Sequence, residues 1–281
     1  MWFRRLLGVS PNRIFTGWAI FFATGCALVQ SPAERLHEIA GSARMMAVDL
    51  PDARLKAFLR SPAAAASQHL TVYIESDGAP WPWPDTPPAD PSPVKPLVVG
   101  LAALDTAPSV GYLSRLCQYL TEAERANCDV AYWTSGRFRE DAVAATMIAI
   151  DNLKRASRAK DVSLVGYSGG GVMAALVAAR RDDVRCLVTI AAPLDIDAWA
   201  DSIRVSRLYG SRNPVDAVRY LAATPQTHFR GLADKAVPPG SARRFLLGVP
   251  GAQVADLPEF DHECCWLRDW PSLRQRSCLA G

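Results

Sequence analysis

Histidine is scarce here, with four residues in a chain of 281, so any search for an imidazole base is short. Neither sign of charge predominates. The formal net charge is +3, no basic run occurs, and no Lys/Arg–aromatic interleaving is seen, which argues against a nucleic-acid partner. No CxxC pair and no His–Cys cluster stands at zinc-ligand spacing, so neither a metal nor another cofactor is expected. No internal repeat is visible. With 49% hydrophobic and 21% charged residues, the composition is that of a globular protein with a sizeable core, and the length suits one large α/β domain.

The N-terminus departs from that ordinary composition. Arg4, Arg5 and Arg13 precede an uncharged apolar stretch from Ile14 to Ala33, which resembles a secretory signal with a positive n-region. Within it, Ala23-Thr24-Gly25-Cys26 resembles the bacterial lipobox, in which the cysteine is lipidated and becomes the new N-terminus, although Ala23 stands where leucine is preferred. An uncleaved membrane anchor and a plain secretory signal are the alternatives, because the run is just long enough to span a bilayer. Residues 1–33 are therefore read as an export or anchor segment and 34–281 as the functional domain. Every version places the domain in the bacterial cell envelope, two of them through a membrane attachment.

Cysteine usage agrees with export. Oxidising compartments permit disulfides, and Cys117–Cys128 closes a short loop that a bridge could staple. Cys264 or Cys265 with Cys278 is a second candidate pair. Cys186 lies in the apolar strand pattern Val-Arg-Cys-Leu-Val-Thr-Ile and reads as a buried free thiol. The bland alternative is that none is bridged.

Along the domain, strands are expected at 44–48, 54–59, 70–75, 110–113, 163–167, 186–191, 227–232 and 253–257, with helices at 97–105, 140–159, 172–180, 195–203, 214–221 and 241–247. The alternation predicts a mostly parallel sheet with helices on both faces. A proline-rich segment from Pro80 to Pro96 cannot be regular structure and reads as a functional loop or a cover.

The chemistry centres on Val-Ser-Leu-Val-Gly-Tyr-Ser-Gly-Gly-Gly-Val-Met at 162–173, with Ser168 in a Gly-x-Ser-x-Gly pentad between a strand and a small-residue helix. That is the setting of a nucleophile elbow, whose tight turn bars side chains at Gly166 and Gly170. A serine hydroxyl needs a base, itself oriented by an acid. His37 follows the export segment, while His69 and His228 each precede an apolar strand at the amino edge of the sheet. His262, after the last strand, is the expected base.

Asp234, in Leu-Ala-Asp-Lys-Ala-Val-Pro after a strand, is the expected acid, with Asp195 as its rival; Asp261 is read as a loop cap. Oxyanion donors are expected from the backbone of Gly169 and of the loop Ser76-Asp77-Gly78, with no role for the Asp77 side chain. Acyl transfer to water from a small ester, thioester or amide is the expected reaction. The same parts would serve a peptidase or an acyltransferase, and a non-catalytic binding protein on the same scaffold is the reading from another class.

Over about residues 43–275 the chain resembles the α/β-hydrolases, in particular poorly characterised bacterial lipoprotein-type serine hydrolases. The pattern consists of Tyr73-Ile74-Glu75-x-Asp77-Gly78, then Asp90-Pro91-Ser92-Pro93, then Cys117-Gln118-Tyr119, Asn127-Cys128 and Tyr132-Trp133-Thr134-Ser135-x-Arg137-Phe138. Leu194-Asp195-x-x-Ala198-Trp199 is similar too. The chain departs from the pattern at Ser76, where glycine is usual, and at Leu116, where proline is usual. The resemblance implies an α/β-hydrolase fold and a Ser–Asp–His triad.

Overall fold

The structure is a computed structural model, which describes residues 30–62, 68–78 and 85–280. Cys26 with its surroundings and part of the Pro80–Pro96 segment lie outside the described residues. The described residues form eight strands: β1 (Met46–Val48), β2 (Ala57–Arg60), β3 (His69–Ile74), β4 (Val110–Leu113), β5 (Asp161–Tyr167), β6 (Val184–Ile190), β7 (Gln226–Gly231) and β8 (Gln253–Leu257). Among them lie helices α1 (Pro32–Ser42), α2 (Leu97–Leu104), α3 (Glu122–Arg125), α4 (Glu140–Ser157), α5 (Gly169–Ala178), α6 (Ile196–Ile203), α7 (Arg243–Gly248) and α8 (Trp266–Gln275). Pro214–Tyr220, expected as helix, forms 3₁₀ turns.

The strands form one sheet in the order β1-β2-β4-β3-β5-β6-β7-β8. β1 and β2 pair antiparallel at one end, and β4-β3-β5-β6-β7-β8 are parallel. The central strands are covered on both faces. Leu70, Val72 and Ile74 of β3 face the layer built from α4, α5 and Phe245 of α7. Tyr73 points the other way, against α1, α2 and the fully buried Trp266 and Trp270 of α8. With both faces covered, β5 is buried at every position but its first, Asp161.

Local sequence sets the helix ends. Ser31 and Glu34 make a capping box at α1. α4 carries Glu140 and Asp141 in its first turn and Lys154 and Arg155 in its last, each sign complementing the helix dipole.

Strand order fixes where chemistry can occur. The chain runs from β3 outward to β4, then returns to place β5 on the other side of β3. At such a reversal the loops leaving the two neighbouring strands part in opposite directions, opening a crevice at their carboxyl ends. The loop 76–78 leaves β3 and Ser168 ends β5, so both stand at that crevice.

Three disulfides are present. Cys117–Cys128 is bridged, as expected. The other expected pairing is corrected: Cys278 bonds to Cys186, and Cys264 bonds to Cys265. Cys186 is therefore not a free thiol. Its strand β6 runs beside the C-terminal 278–280 turn, which brings the two Cα atoms to 5.7 Å, within bonding reach; sequence spacing could not show this. The Cys186–Cys278 bridge spans 92 residues, and the loop-closure model gives such a bridge a stabilising effect of about 4–5 kcal/mol. Cys186→Ala/Cys278→Ala is expected to lose about 2–5 kcal/mol in urea unfolding. An unchanged midpoint would remove the bridge's structural role. Among the described residues no helix is long and apolar enough to cross a membrane.

Candidate active site

β5 delivers Ser168 at its carboxyl end and α5 begins on the next residue. Ser168 has φ 53° and ψ −124°, a backbone state that costs roughly 1–3 kcal/mol in a residue with a side chain and persists only where its surroundings impose it. They do so through close packing. A Cβ on Gly166 would stand 2.2 Å from the carbonyl oxygen of Gly170, and one on Gly170 would stand 2.2 Å from that of Ile74. The Ser168 N–H donates to the carbonyl of Ile190 on β6. The turn at 166–170 is therefore tight, and the helix after it starts at Gly169, three residues earlier than at Val172.

His262 lies on the loop after β8, and its Nδ1–H donates to Asp234 Oδ2 at 2.8 Å. The Asp234 side chain is fully buried, and its other oxygen accepts from the Val237 N–H at 2.7 Å. The loop carrying His262 is tied down from beneath. Its carbonyl accepts from the Tyr167 hydroxyl and from Trp266 Nε1, while the Tyr167 ring packs on the imidazole at a centroid distance of 5.2 Å. Asp261 accepts from the N–H groups of Glu263 and Cys264, so it caps the loop.

Asp195 is not brought to His262. It caps α6, and its carboxylate accepts from Arg244 at 2.8 Å and Asn213 at 3.0 Å. The other histidines are also engaged elsewhere. His37 donates to a carbonyl one turn back on α1, and His69 pairs with Asp161. His228 does not precede β7 but lies within it, buried against Thr189, and burial with help from the positive Arg230 pushes its pKa down to about 3.

The loop 76–78 corrects two expectations. The Ser76 N–H donates to its neighbour Glu75 Oε1 at 2.8 Å, so this amide is already engaged and Asp77 is left as the donor candidate on the loop. The Asp77 side chain does far more than close a turn: Arg115 Nη1 reaches its Oδ1 at 2.9 Å and Arg137 Nη1 its Oδ2 at 2.8 Å. Burial raises the Asp77 carboxyl, but Arg137 and Arg115 outweigh it and hold the group below the usual carboxylate range.

Gln118 Nε2 donates to the Ser76 carbonyl at 2.9 Å. Behind the loop, fully buried Glu75 accepts from Tyr112 and Tyr119, and burial pushes its carboxyl upward in spite of those hydrogen bonds. Glu75, Gln118 and Arg137 stood in the quoted family pattern with no role attached. Arg115 carried no signal beyond its place two residues before Cys117.

Ser168, His262 and Asp77 open on one cavity of about 710 Å³. Its walls are mainly apolar, from Ile39 of α1, Val94, Leu97 and Leu267, with Arg35 and Lys95 also lining it. Among the described residues no group of three His, Cys, Asp or Glu side chains could hold a metal ion.

In sequence, no protein-family model and no curated protein matches the chain. In structure it is similar to Est1E from Butyrivibrio proteoclasticus, at 13% identity and TM-score 0.58, covering 83% of this chain and 96% of that one. It is also similar to XC6422 from Xanthomonas campestris, an α/β serine hydrolase without lid, at 14% identity and TM-score 0.51, covering 83% and 91%. A third likeness is the acylaminoacyl peptidase of Pyrococcus horikoshii, at 14% identity and TM-score 0.56, where 84% of this chain matches but only 41% of the peptidase. These likenesses, with the sheet order above, show the α/β-hydrolase fold.

Proposed function

We propose that the chain is an exported serine hydrolase that cleaves a carboxylic ester through Ser168, His262 and Asp234. The observation that carries this reading is the 2.8 Å Nδ1–Oδ2 pair of His262 and buried Asp234, with His262 opening on the cavity that also holds the strained Ser168. With Nδ1–H bound to the carboxylate, Nε2 is the lone-pair nitrogen available to a serine proton. Ser168 Oγ attacks the carbonyl carbon and His262 Nε2 takes its proton. The oxyanion so formed is held by the N–H groups of Gly169 and Asp77. Collapse breaks the carbon–oxygen bond to the alcohol, which leaves with the proton from the imidazolium. Water then attacks the acyl-enzyme by the same route and releases the acid.

An ester is favoured over an amide because its leaving group needs less help. The mainly apolar wall of the cavity suits the acyl part of a small-molecule substrate. Three disulfides support an oxidising compartment. Together with the N-terminal apolar segment they favour a domain held at the envelope, by lipid on Cys26 or by an uncleaved anchor.

A fluorophosphonate probe tests the chemistry. Mass spectrometry of the treated protein is expected to find the adduct on the peptide containing Ser168 and nowhere else. No adduct, or one on another serine, would sink the proposal.

A further inference from the structure

The loop 76–78 on the cavity wall is held by charged groups. Asp77 receives one guanidinium on each carboxylate oxygen. Arg115 is nearly buried, with 5% of its side chain exposed, and Arg137 has 13%. Both are fixed in turn: Arg115 lies over the Phe138 ring at 4.9 Å and donates to the Arg137 carbonyl, while Arg137 Nε donates to the Thr134 carbonyl.

The same carboxylate bears on the elbow. A Cβ on Gly169 would stand 2.0 Å from Asp77 Oδ1, so the residue after the nucleophile must be glycine for Asp77 to pack there. Asp77 thus touches both backbone segments that offer donors to the oxyanion, its own loop and Gly169. Gln118 secures that loop through the Ser76 carbonyl and accepts from the Arg115 N–H at 3.0 Å. Cys117 and Tyr119, on either side of Gln118, have φ of 69° and 59°, a conformation that residues with side chains hold only when their surroundings impose it. Cys117 is held by its bond to Cys128, and the Tyr119 N–H donates to Ser92 Oγ.

Charge adds to geometry. A lone carboxylate beside the oxyanion would oppose the negative charge that develops on it. Two guanidinium groups outweigh that −1, in a mostly buried place where charge is poorly screened.

We propose that Asp77, clamped by Arg115 and Arg137, is a positioning residue that sets the two oxyanion donors and gives the oxyanion a net cationic surround. The inference rests on the acyl-transfer chemistry proposed above. Arg137→Gln tests it, because it leaves the carboxylate to Arg115 alone. Its kcat on a p-nitrophenyl ester and its rate of Ser168 phosphonylation are expected to fall together, by about 10²-fold, the loss typical of one missing oxyanion donor. KM should stay within about twofold, since an interaction made in the transition state lowers kcat rather than binding. Arg137→Lys, which keeps the charge but not the fork, should recover part of the loss.

Unchanged kcat in Arg137→Gln and in Asp77→Asn would overturn the clamp and leave the hydrolase reading standing. A raised KM at constant kcat would make Asp77 a substrate-binding group and would also overturn it. Wild-type protein that neither turns over ester nor takes the probe would overturn both. If Arg137→Gln does not fold, Asp77→Asn, nearly identical in shape, decides alone.

Discussion

Ser168→Ala is expected to lower ester turnover about 10⁶-fold, the loss typical when the nucleophile of such a triad is removed. His262 Nδ1 is committed to Asp234, and attack by water would have to be assembled around the empty Oγ position. What remains should be the small effect of binding and of the oxyanion donors, which typically leaves 10³–10⁴-fold over water. Folding should survive the change. Alanine has the same Cβ as serine and meets the same φ of 53°, and the N–H bond to Ile190 is untouched. Steady-state rates on a chromogenic ester, with a melting curve as control, check this. A variant within tenfold of wild type would remove Ser168 from the mechanism.

Asp234→Asn should cost about 10⁴-fold in kcat with the fold intact. Asparagine occupies the same volume but carries no charge to stabilise the imidazolium. Its amide can also donate to Nδ1, which would turn the ring to the tautomer that presents N–H rather than a lone pair to the serine. Asp195→Asn is the control with the opposite expectation. Its carboxylate serves Arg244, Asn213 and the end of α6; asparagine can still cap α6, but its amide meets the Arg244 and Asn213 donors, so turnover should change by no more than a few-fold while stability falls by about 1–2 kcal/mol. Equal activity losses in the two variants would reassign the acid.

Much of the architecture was legible because the signals are local. β3, β4, β5 and β8 lie within about two residues of where alternation or apolar runs put them, and α4 carries its apolar stripe and its terminal charges in plain view. α1 was not among the expected helices, although the capping box of Ser31 and Glu34 that starts it is equally local; it supplies Ile39 to the cavity wall. The Pro214–Tyr220 segment shows where local reading fails. Its polar and apolar spacing fits a helix, yet proline at its start and packing against α7 leave it as 3₁₀ turns.

The cysteines mark the limit most sharply. Cys117–Cys128 could be read because the bridge joins neighbours in sequence. Cys186–Cys278 could not, because only the placement of the C-terminal turn against β6 makes them neighbours.

For the site, sequence alone pointed to a tight turn at Ser168, since Gly166, Ser168 and Gly170 fall within five residues between a strand and a helix. It also determined His262 as the expected base, because so few histidines compete for the place. Tertiary structure decided what surrounds them: that Asp234 rather than Asp195 meets the imidazole, that the Ser76 amide is already taken, and that the Asp77 carboxylate lies between two arginines 38 and 60 residues away along the chain. Local sterics act within a few residues, whereas charges and hydrogen bonds act between whatever the fold brings within about 3 Å. That second set of neighbours is chosen by the order of strands in the sheet, which no short motif records.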